Sequence, residues 1–347
     1  MTQAIDLLKK LISIPSFSRD ENGAADALHS YILSKNYDVN RIDNNLFLLS
    51  PDFNSNKPTI LLNSHIDTVK PVNGWTLDPF TPTEKDGKLF GLGSNDAGAS
   101  LVSLLHAFFI LNEKKQAYNL IFAASAEEEV SGANGMESLL KSLPKIDVAI
   151  VGEPTNMQMA IAEKGLMVLD CTATGKAGHA ARNEGENAMY KAMQDIEWFK
   201  NYRFTKTSDE LGEVKMSVTM INAGTQHNVV PDTCTFVVDV RSNECYSNEE
   251  LLKEIQTHVQ CEIKARSTRL NSSSIDNNHI LVKRGLKLGL STFGSPTLSD
   301  QSLMPFPSLK MGPGESARSH TADEFIYLKE IEDAIKIYVE MLDNLVL

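Results

Sequence analysis

Three apolar segments that end in acidic or imidazole side chains constrain this 347-residue chain more than any other feature. Each has the length of a buried strand, and they run 59–62 before His65, 120–124 before Glu127 to Glu129, and 148–151 before Glu153. Strands that alternate with helical segments predict an α/β fold, with a mostly parallel sheet and helices on both faces. The carboxyl ends of parallel strands share one edge, where α/β proteins bind ligands. We therefore expect these polar side chains to meet there.

Helical spacing is clearest near the start of the chain. Apolar residues repeat with a helical period over 5–12, and Pro15 ends this first predicted helix. Ser18 and Glu21 have the spacing of a capping box and predict the start of a second helix. The apolar run at 101–111 is too short to span a bilayer and predicts a buried helix.

The pattern changes near residue 166. From there the predicted order is strand, helix, strand, strand, helix, strand, at 167–173, 186–200, 214–221, 233–240, 248–260 and 261–265. This is the order of a ferredoxin-like unit. A helix predicted at 282–290 returns the chain to the first domain. A chain of this length usually forms two domains, so we predict one domain at 1–165 and 273–347, interrupted by an inserted domain at 166–272.

The net charge and the spacing of the cysteines limit which binding partners and which cellular compartment we expect. The net charge of −12 repels a phosphate backbone, so we expect no nucleic-acid partner. The first residues lack the pattern of a signal peptide, and we expect no membrane association. None of the cysteines forms a C-x-x-C pair, which is typical of reduced thiols in a cytoplasmic protein; they are Cys171, Cys234, Cys245 and Cys261.

His65 and Asp96 are the first candidates for metal ligands. Alternation along a strand places His65 and Asp67 on the same side, so a carboxylate could orient the imidazole of a metal ligand. The alternative is a histidine satisfied at a turn. Asp96 lies in a glycine-rich segment, 91–98, that lacks the lysine of a phosphate loop and the dinucleotide-binding spacing. A tight backbone path that directs one carboxylate explains this segment better, with a plain turn as the alternative.

The remaining candidates are acidic residues after buried strands and one late histidine. Glu127, Glu128 and Glu129 would repel one another near the interior, and a bound cation would relieve that repulsion. The alternative is a solvated charge cluster on a loop. Glu153 repeats the strand-then-carboxylate arrangement, and His320 follows a glycine-rich turn. Imidazole combined with carboxylate favours zinc, with cobalt or manganese as substitutes.

Taken together, these motifs resemble the dizinc aminoacylase and carboxypeptidase family, which includes acetylornithine deacetylase and succinyl-diaminopimelate desuccinylase. The matching segments are 64–69, the Asp96 loop, 125–129, 152–155 and 319–320. They follow the family's order along nearly the whole chain. The resemblance implies a catalytic zinc domain, with the inserted ferredoxin-like domain serving as a lid and dimerisation domain.

The resemblance also implies a role for each residue. One zinc would be bound by His65, Asp96 and Glu153, and the second by Asp96, Glu129 and His320, with Asp96 bridging the two. Asp67 would orient His65, and Glu128 would be the general base. Ser125 in the family's hydroxyl position sets this register among the three glutamates. A cis peptide bond is implied after Asp96.

Other implied roles concern the lid domain and the substrate. His179 resembles the histidine that meets the oxygen of the scissile carbonyl, which in dimeric members arrives from the partner subunit. Asn228, Arg241 and Gly314 resemble substrate-binding positions, although Arg241 could equally form a surface ion pair. The chain departs from the family at Ala97-Gly98, where Lys-Gly is frequent, and at 181–183, where Ser-x-Pro is usual. These departures leave the substrate open.

The expected function is therefore metal-dependent hydrolysis of the amide bond of a small N-acyl amino acid. Within the family, deacylation of N-acetyl- or N-succinyl-ornithine or -citrulline in arginine biosynthesis is favoured. Desuccinylation of succinyl-diaminopimelate is the second choice, and a dipeptidase or carboxypeptidase is the third. A non-catalytic binding protein on the same fold is a remote alternative, because no ligand or base is missing. We expect a homodimer that forms through the lid domain.

Overall fold

The computed structural model describes residues 2–182 and 184–347, and the chain divides into two compact units. The first unit contains the chain up to Ile161 together with Ser274–Phe293 and Ser299–Leu347, and the second contains Ala162–Ser273 and Gly294–Leu298. Residues 162–165, 273 and 294–298, which the sequence assigns to the first domain, group with the second unit. One reason is that the backbone N–H of Lys164 donates to the carbonyl of Ser295 at 3.0 Å.

The helices and strands follow one another through both units. The α-helices are α1 (Thr2–Ile12), α2 (Asn22–Ser34), α3 (Ala99–Leu111), α4 (Met136–Leu140), α5 (Ala188–Asn201), α6 (Asn248–Gln256), α7 (Ile280–Lys287) and α8 (Leu328–Leu342). The strands are β1 (Asn40–Ile42), β2 (Asn45–Leu49), β3 (Thr59–His65), β4 (Thr83–Lys85), β5 (Lys88–Phe90), β6 (Asn119–Ser125), β7 (Val148–Val151), β8 (Met159–Glu163), β9 (Met167–Thr174), β10 (Gly178–His179), β11 (Lys215–Ala223), β12 (Val229–Val230), β13 (Thr233–Arg241), β14 (Glu262–Ala265), β15 (Ser273–Ser274), β16 (Thr292–Ser295), β17 (Ser308–Lys310) and β18 (Phe325–Tyr327).

A mostly parallel sheet forms the centre of the first unit, which confirms the predicted fold class. Its strands lie in the order β1-β2-β6-β3-β7-β17-β8. The four inner strands β6, β3, β7 and β17 are parallel to one another. At the two sides, β2 and β8 pair antiparallel. The carboxyl ends of the four parallel strands therefore open at one edge.

Alternating side chains divide the sheet between two apolar layers. In β3, Ile60 and Leu62 belong to the larger core cluster with α1, α2, α3, α7 and α8. Leu61, between them, packs in a smaller cluster with Met136 and Leu139 of α4. Because strand side chains alternate between faces, one apolar strand binds helices on both sides.

The turn that precedes α2 differs from its prediction. α2 follows Glu21, which makes no side-chain capping bond. The hydroxyl of Ser18 instead donates to Asp67 at 2.7 Å. Glu21 accepts the backbone N–H groups of Arg19 at 2.6 Å and Glu127 at 3.2 Å. The predicted capping box is wrong because both side chains bond to the polar edge of the sheet rather than to their own helix.

The second unit contains a small antiparallel sheet. In its described residues the strands lie in the order β11-β13-β9-β14, and each neighbouring pair is antiparallel. The buried residues of α5 and α6, including Phe199 and Leu251, share one apolar cluster with these strands. With its chain order of β9, α5, β11, β13, α6 and β14, the sheet has ferredoxin-like connectivity.

The most apolar helix lies in the core. The segment Ser94–Leu111 has the length and mean hydropathy, 1.2, of a membrane-spanning helix, but 78% of it is buried within the fold. α3 makes up most of this segment and packs against β3, β6 and α8.

Leu104 provides a test of this packing. Leu104 in α3 is fully buried, and Ile110 in the same helix is 40% exposed. We expect Leu104→Ala to lower the free energy of unfolding of the first unit by about 2–5 kcal/mol, because it removes apolar contacts and leaves a cavity. Ile110→Ala is the matched control and should change it by no more than about 0.5 kcal/mol. Urea unfolding followed by Trp75 fluorescence, in a Trp198→Phe background, reports this unit alone.

Candidate metal centre

Asp96 lies between two histidines. Its Oδ1 atom is 3.3 Å from Nε2 of His65, and its Oδ2 atom is 3.6 Å from Nε2 of His320. The loop that carries Asp96 follows β5 and leads into α3, and the peptide bond between Asp96 and Ala97 is cis, as the resemblance implies. One carboxylate thus presents its two oxygens to two different imidazoles, which is the geometry of a ligand that bridges two cations.

The carboxylates on either side of Asp96 complete two donor sets. Glu153, directly after β7, places Oε1 at 3.8 Å from Nε2 of His65. Glu129, after β6, places Oε2 at 3.1 Å from Nε2 of His320. Donor atoms bound to one tetrahedral zinc lie roughly 3.3 Å apart, given bonds of about 2.0–2.1 Å. The observed spacings are close to that value, so the donors fit one cation on each side of Asp96.

The three consecutive glutamates separate into three environments. Glu127 belongs to neither group of possible metal donors and accepts a hydrogen bond from the amide of Asn134 at 3.0 Å. Glu128 lies within 4.8 Å of the donor atoms of His65 and Glu153, while Glu129 contacts His320. Both Glu128 and Glu129 lie in groups that could hold a metal ion, so the register in which Glu129 is the ligand and Glu128 the base stays a prediction.

Asp67 contacts both His65 and the turn that carries Glu128 and Glu129. Nδ1 of His65 lies 2.9 Å from the backbone carbonyl of Asp67 and 3.5 Å from its carboxylate, which leaves Nε2 facing Asp96. The Asp67 carboxylate also accepts the backbone N–H groups of Glu128 at 3.0 Å and Glu129 at 3.1 Å. Asp67 therefore orients the imidazole mainly through its backbone, and its carboxylate fixes the turn that carries the two glutamates.

Burial and like charges perturb the pKa values of the acidic residues. Burial, with the charges of Asp96 and Glu129, raises the pKa of Glu153 to about 8. Glu128 retains partial solvent access, but the atoms packed around its carboxyl group raise its pKa well above the usual value, and Glu153 adds to the effect. These carboxylates resist ionising together, which is the electrostatic condition that a bound cation relieves.

The pKa values of both histidines are raised as well, which for an imidazole favours the charged form. The hydrogen bond with Glu129 raises the pKa of His320 to about 9. Burial alone would lower the pKa of His65, but hydrogen bonds with Asp67 and Asp96 outweigh burial and raise it. Both imidazoles thus lie in a strongly negative field. Two imidazoles and three carboxylates, those of Asp96, Glu129 and Glu153, form a donor set that suits one or two divalent transition metals.

Several buried polar residues of the centre were missed from the sequence. Glu324 is 2% exposed and accepts backbone N–H groups from Gly93, Asn95 and Asp96. Burial raises its pKa to about 7. Asp300 is 4% exposed and accepts the hydroxyl of Ser125 at 2.5 Å. A sequence signal exists for Glu324 alone, because it is an acidic residue directly before the apolar strand β18.

Two of the residues predicted to contact substrate lie together in the second unit. His179 ends β10, which pairs with β12 so that His179 is opposite Val229. The carbonyl of Asn228 accepts the backbone N–H of Ala180 at 2.9 Å. His179 is exposed, and its Nδ1 accepts the N–H of Ala181 at 3.1 Å. His179 and Asn228 are therefore neighbours on one two-stranded element.

The other two residues predicted to bind substrate, Arg241 and Gly314, lie against other groups of the protein. The guanidinium group of Arg241 forms a forked pair with Asp239, at 2.8 and 3.1 Å. Gly314, in the first unit, has a φ of +86°, and a Cβ there would lie 2.2 Å from Oδ1 of Asn95. Asn183, where the sequence departs from the family, lies outside the described residues. The substrate-binding roles of Arg241 and Gly314 stay predictions.

Proteins of similar sequence carry the names of amide hydrolases. Acetylornithine deacetylase from Buchnera aphidicola is 26% identical over 373 residues, which cover 98% of this chain and 97% of that protein. Succinyl-diaminopimelate desuccinylase from Pelagibacter ubique is 26% identical over 320 residues, which cover 83% of each chain.

Solved structures show the same fold. Aminopeptidase PepT from Bacillus cereus has a TM-score of 0.79 at 19% identity, covering 98% of this chain and 97% of that one. The YXEP protein of Bacillus subtilis, described as a dinuclear metal-binding peptidase from the M20 family, has a TM-score of 0.74 at 16% identity, covering 99% of both chains. The model of peptidase family M20/M25/M40 matches residues 61–344, so the chain belongs to this family of metal-dependent hydrolases.

Proposed function

We propose that this protein hydrolyses the amide bond of a small N-acyl amino acid with the help of two zinc ions. The observation that carries the proposal is Asp96, whose two oxygens face His65 and His320 separately. Such a shared carboxylate has a use in a centre of two metals, which would activate the attacking water and polarise the oxygen of the scissile carbonyl. A binding protein would not need Glu128, an acid of raised pKa, next to that centre.

Residues of this chain have separate roles around the metals. When bound, the two ions would activate a water molecule and polarise the substrate carbonyl. Glu128 is placed to take the proton of that water and to deliver it to the leaving amine, because its carboxyl group faces His65 and Glu153 without being needed in the bridging set. Asp67 keeps Glu128 in place through the backbone N–H. His179 is our candidate for the oxyanion contact.

Among substrates we favour N-acetyl- or N-succinyl-ornithine or -citrulline, as in arginine biosynthesis, in the cytoplasm. The support is the name of the Buchnera aphidicola relative, which aligns over 98% of this chain. The second candidate is succinyl-diaminopimelate, supported by the Pelagibacter ubique relative. A dipeptide is the third, because the structural neighbours include peptidases. All three substrates share an amide nitrogen next to a carboxylate-bearing carbon.

A substrate panel tests this function directly. The zinc-loaded protein is incubated with N-acetyl- and N-succinyl-ornithine, N-acetylcitrulline, N-succinyl-diaminopimelate and a dipeptide, and release of free amine is measured. We expect the ornithine derivatives to have the highest kcat/KM. Glu128→Gln should lower kcat by about 10²–10⁴-fold and keep its zinc, because it removes proton transfer and no metal ligand.

Two outcomes would contradict the proposal. Turnover of Glu128→Gln at the wild-type rate would remove Glu128 as the base. Absence of amine release from every substrate, by protein with its full zinc content, would remove N-acyl amino acid hydrolysis.

Metal content provides a separate prediction. We expect two zinc ions per chain after dialysis and about one in Glu129→Gln, because only the set with His320 loses a donor. Zinc at 100 times its Kd should stabilise the fold by about 2.7 kcal/mol. Mass spectrometry of bound metal and thermal unfolding measure both quantities. Glu128→Gln is the matched control, and a loss of zinc in that variant would reverse the assignment of the two glutamates.

We also propose that the protein is a homodimer formed through the second unit. Tyr190 and Met193 on α5 are 68% and 60% exposed, and Met220 and Ile221 on β11 are 62% and 59% exposed. α5 packs against β11, which is the outer strand of its sheet in the described residues. An apolar surface beside an open strand edge is typical of a self-pairing interface.

The association state tests this interface. We expect sedimentation equilibrium to give twice the chain mass of 38.3 kDa for the wild type. A charged double variant, Met193→Glu with Met220→Glu, should give the single-chain mass, because burying two carboxylates at the interface is unfavourable. Leu286→Glu, at a residue 48% exposed in the first unit, is the control and should leave the mass unchanged. A wild-type protein at 38.3 kDa would contradict the proposal.

A further inference from the structure

Glu324 makes an unusual set of hydrogen bonds. Its Oε1 atom accepts the backbone N–H groups of Asn95 at 2.8 Å and Asp96 at 2.9 Å, and its Oε2 atom accepts that of Gly93 at 3.1 Å. The backbone carbonyl of Glu324 also accepts the N–H of Gly91 at 3.0 Å. One residue thus binds four N–H groups of a single loop.

This loop ends at the carboxylate that lies between the two histidines. Successive backbone N–H groups that converge on one point form an anion-binding cradle, and here the occupant is a side chain of the same protein. Because Asp96 is itself one of the bonded residues, the position of its backbone depends on Glu324. The direction in which Asp96 presents its two oxygens follows from that position.

Glu324 also connects this loop to the second histidine. His320 precedes Glu324 by four residues in the same segment. The side chain of Asn95 makes a second link, donating to the carbonyl of Glu315 and to the hydroxyl of Ser319, both at 3.1 Å. The segments that carry Asp96 and His320 are therefore joined by the side chains of Glu324 and Asn95.

We infer that Glu324 is a positioning residue, which sets the shared ligand Asp96 and the His320 segment in place before metal binds. This inference rests on the two-metal centre of the proposed function and is independent of the substrate. Residues that orient metal ligands typically contribute 10–100-fold to metal affinity. Glu324 should therefore act on the affinity of the centre for zinc, and through it on activity.

The first experiment uses the isosteric variant Glu324→Gln, whose amide NH₂ would face the N–H of Gly93. We expect its weaker-bound zinc to have a Kd about 10–100-fold higher than in wild type, measured by chelator competition. Most of the kcat should return when zinc is saturating, and KM should stay near the wild-type value. A purely structural role would lower the unfolding temperature and leave the Kd for zinc unchanged.

Asp195 provides the matched control. It is 5% exposed and accepts two backbone N–H groups, from Gln260 at 3.0 Å and Cys261 at 2.9 Å, in the second unit. Asp195→Asn makes the same acid-to-amide change away from the metal ligands. It should lower stability without changing the Kd for zinc. Equal Kd values for zinc in wild type and Glu324→Gln would overturn the inference.

A second experiment needs no variant, and it decides the matter if Glu324→Gln does not fold. Hydrogen exchange is measured at the amides of Gly93, Asn95 and Asp96 in zinc-free and zinc-loaded wild type. We expect these amides to be protected in both forms, because Glu324 binds them without metal. Fast exchange in the zinc-free form, slowed only by zinc, would show that the metal orders the loop and would overturn the inference. Neither experiment depends on finding a substrate.

Discussion

Repulsion among carboxylates at one edge of a sheet is the constraint on which the rest of this structure depends. Asp96, Glu128, Glu129 and Glu153 lie within a few ångströms of His65 or His320. Charges this close in a poorly solvated site interact far more strongly than in water. Cations can satisfy all of these groups at once, whereas protonation can satisfy only some of them. A bound cation would therefore stabilise these groups as a unit.

Holding these groups together requires a layer of further acids behind them. Asp67 and Glu324 do not face one another, but each accepts several backbone N–H groups of a loop that carries ligands. Glu21 does the same for Glu127. A carboxylate that accepts N–H groups can be buried because those bonds replace water. The protein thus fixes its metal-binding loops with hydrogen bonds from acidic side chains to backbone N–H groups.

The sequence points to the candidate ligands more clearly than to the residues that support them. His65, Glu129 and Glu153 follow buried strands, and the parallel register of those strands places them together. Periodicity and strand order therefore carry the information about the centre. Glu324 and Asp300 act through contacts with residues more than 100 positions away. The position before β18 marks Glu324 as a candidate, but no local pattern specifies the partners of either residue. Ser18 and Glu21 show the same effect, because their spacing fits a capping box while long-range partners decide their bonds.

The ligands come from five separated stretches of chain, and this fixes the relation between folding and metal binding. No two of His65, Asp96, Glu129, Glu153 and His320 are close enough in sequence to hold a cation locally. The inserted unit separates Glu153 from His320, so the chain must return and add β17 beside β7 before His320 and Glu324 arrive. Metal binding and completion of the first unit are therefore linked, and each stabilises the other. The inserted unit supplies none of the five proposed ligands, so this link places no direct constraint on its sequence.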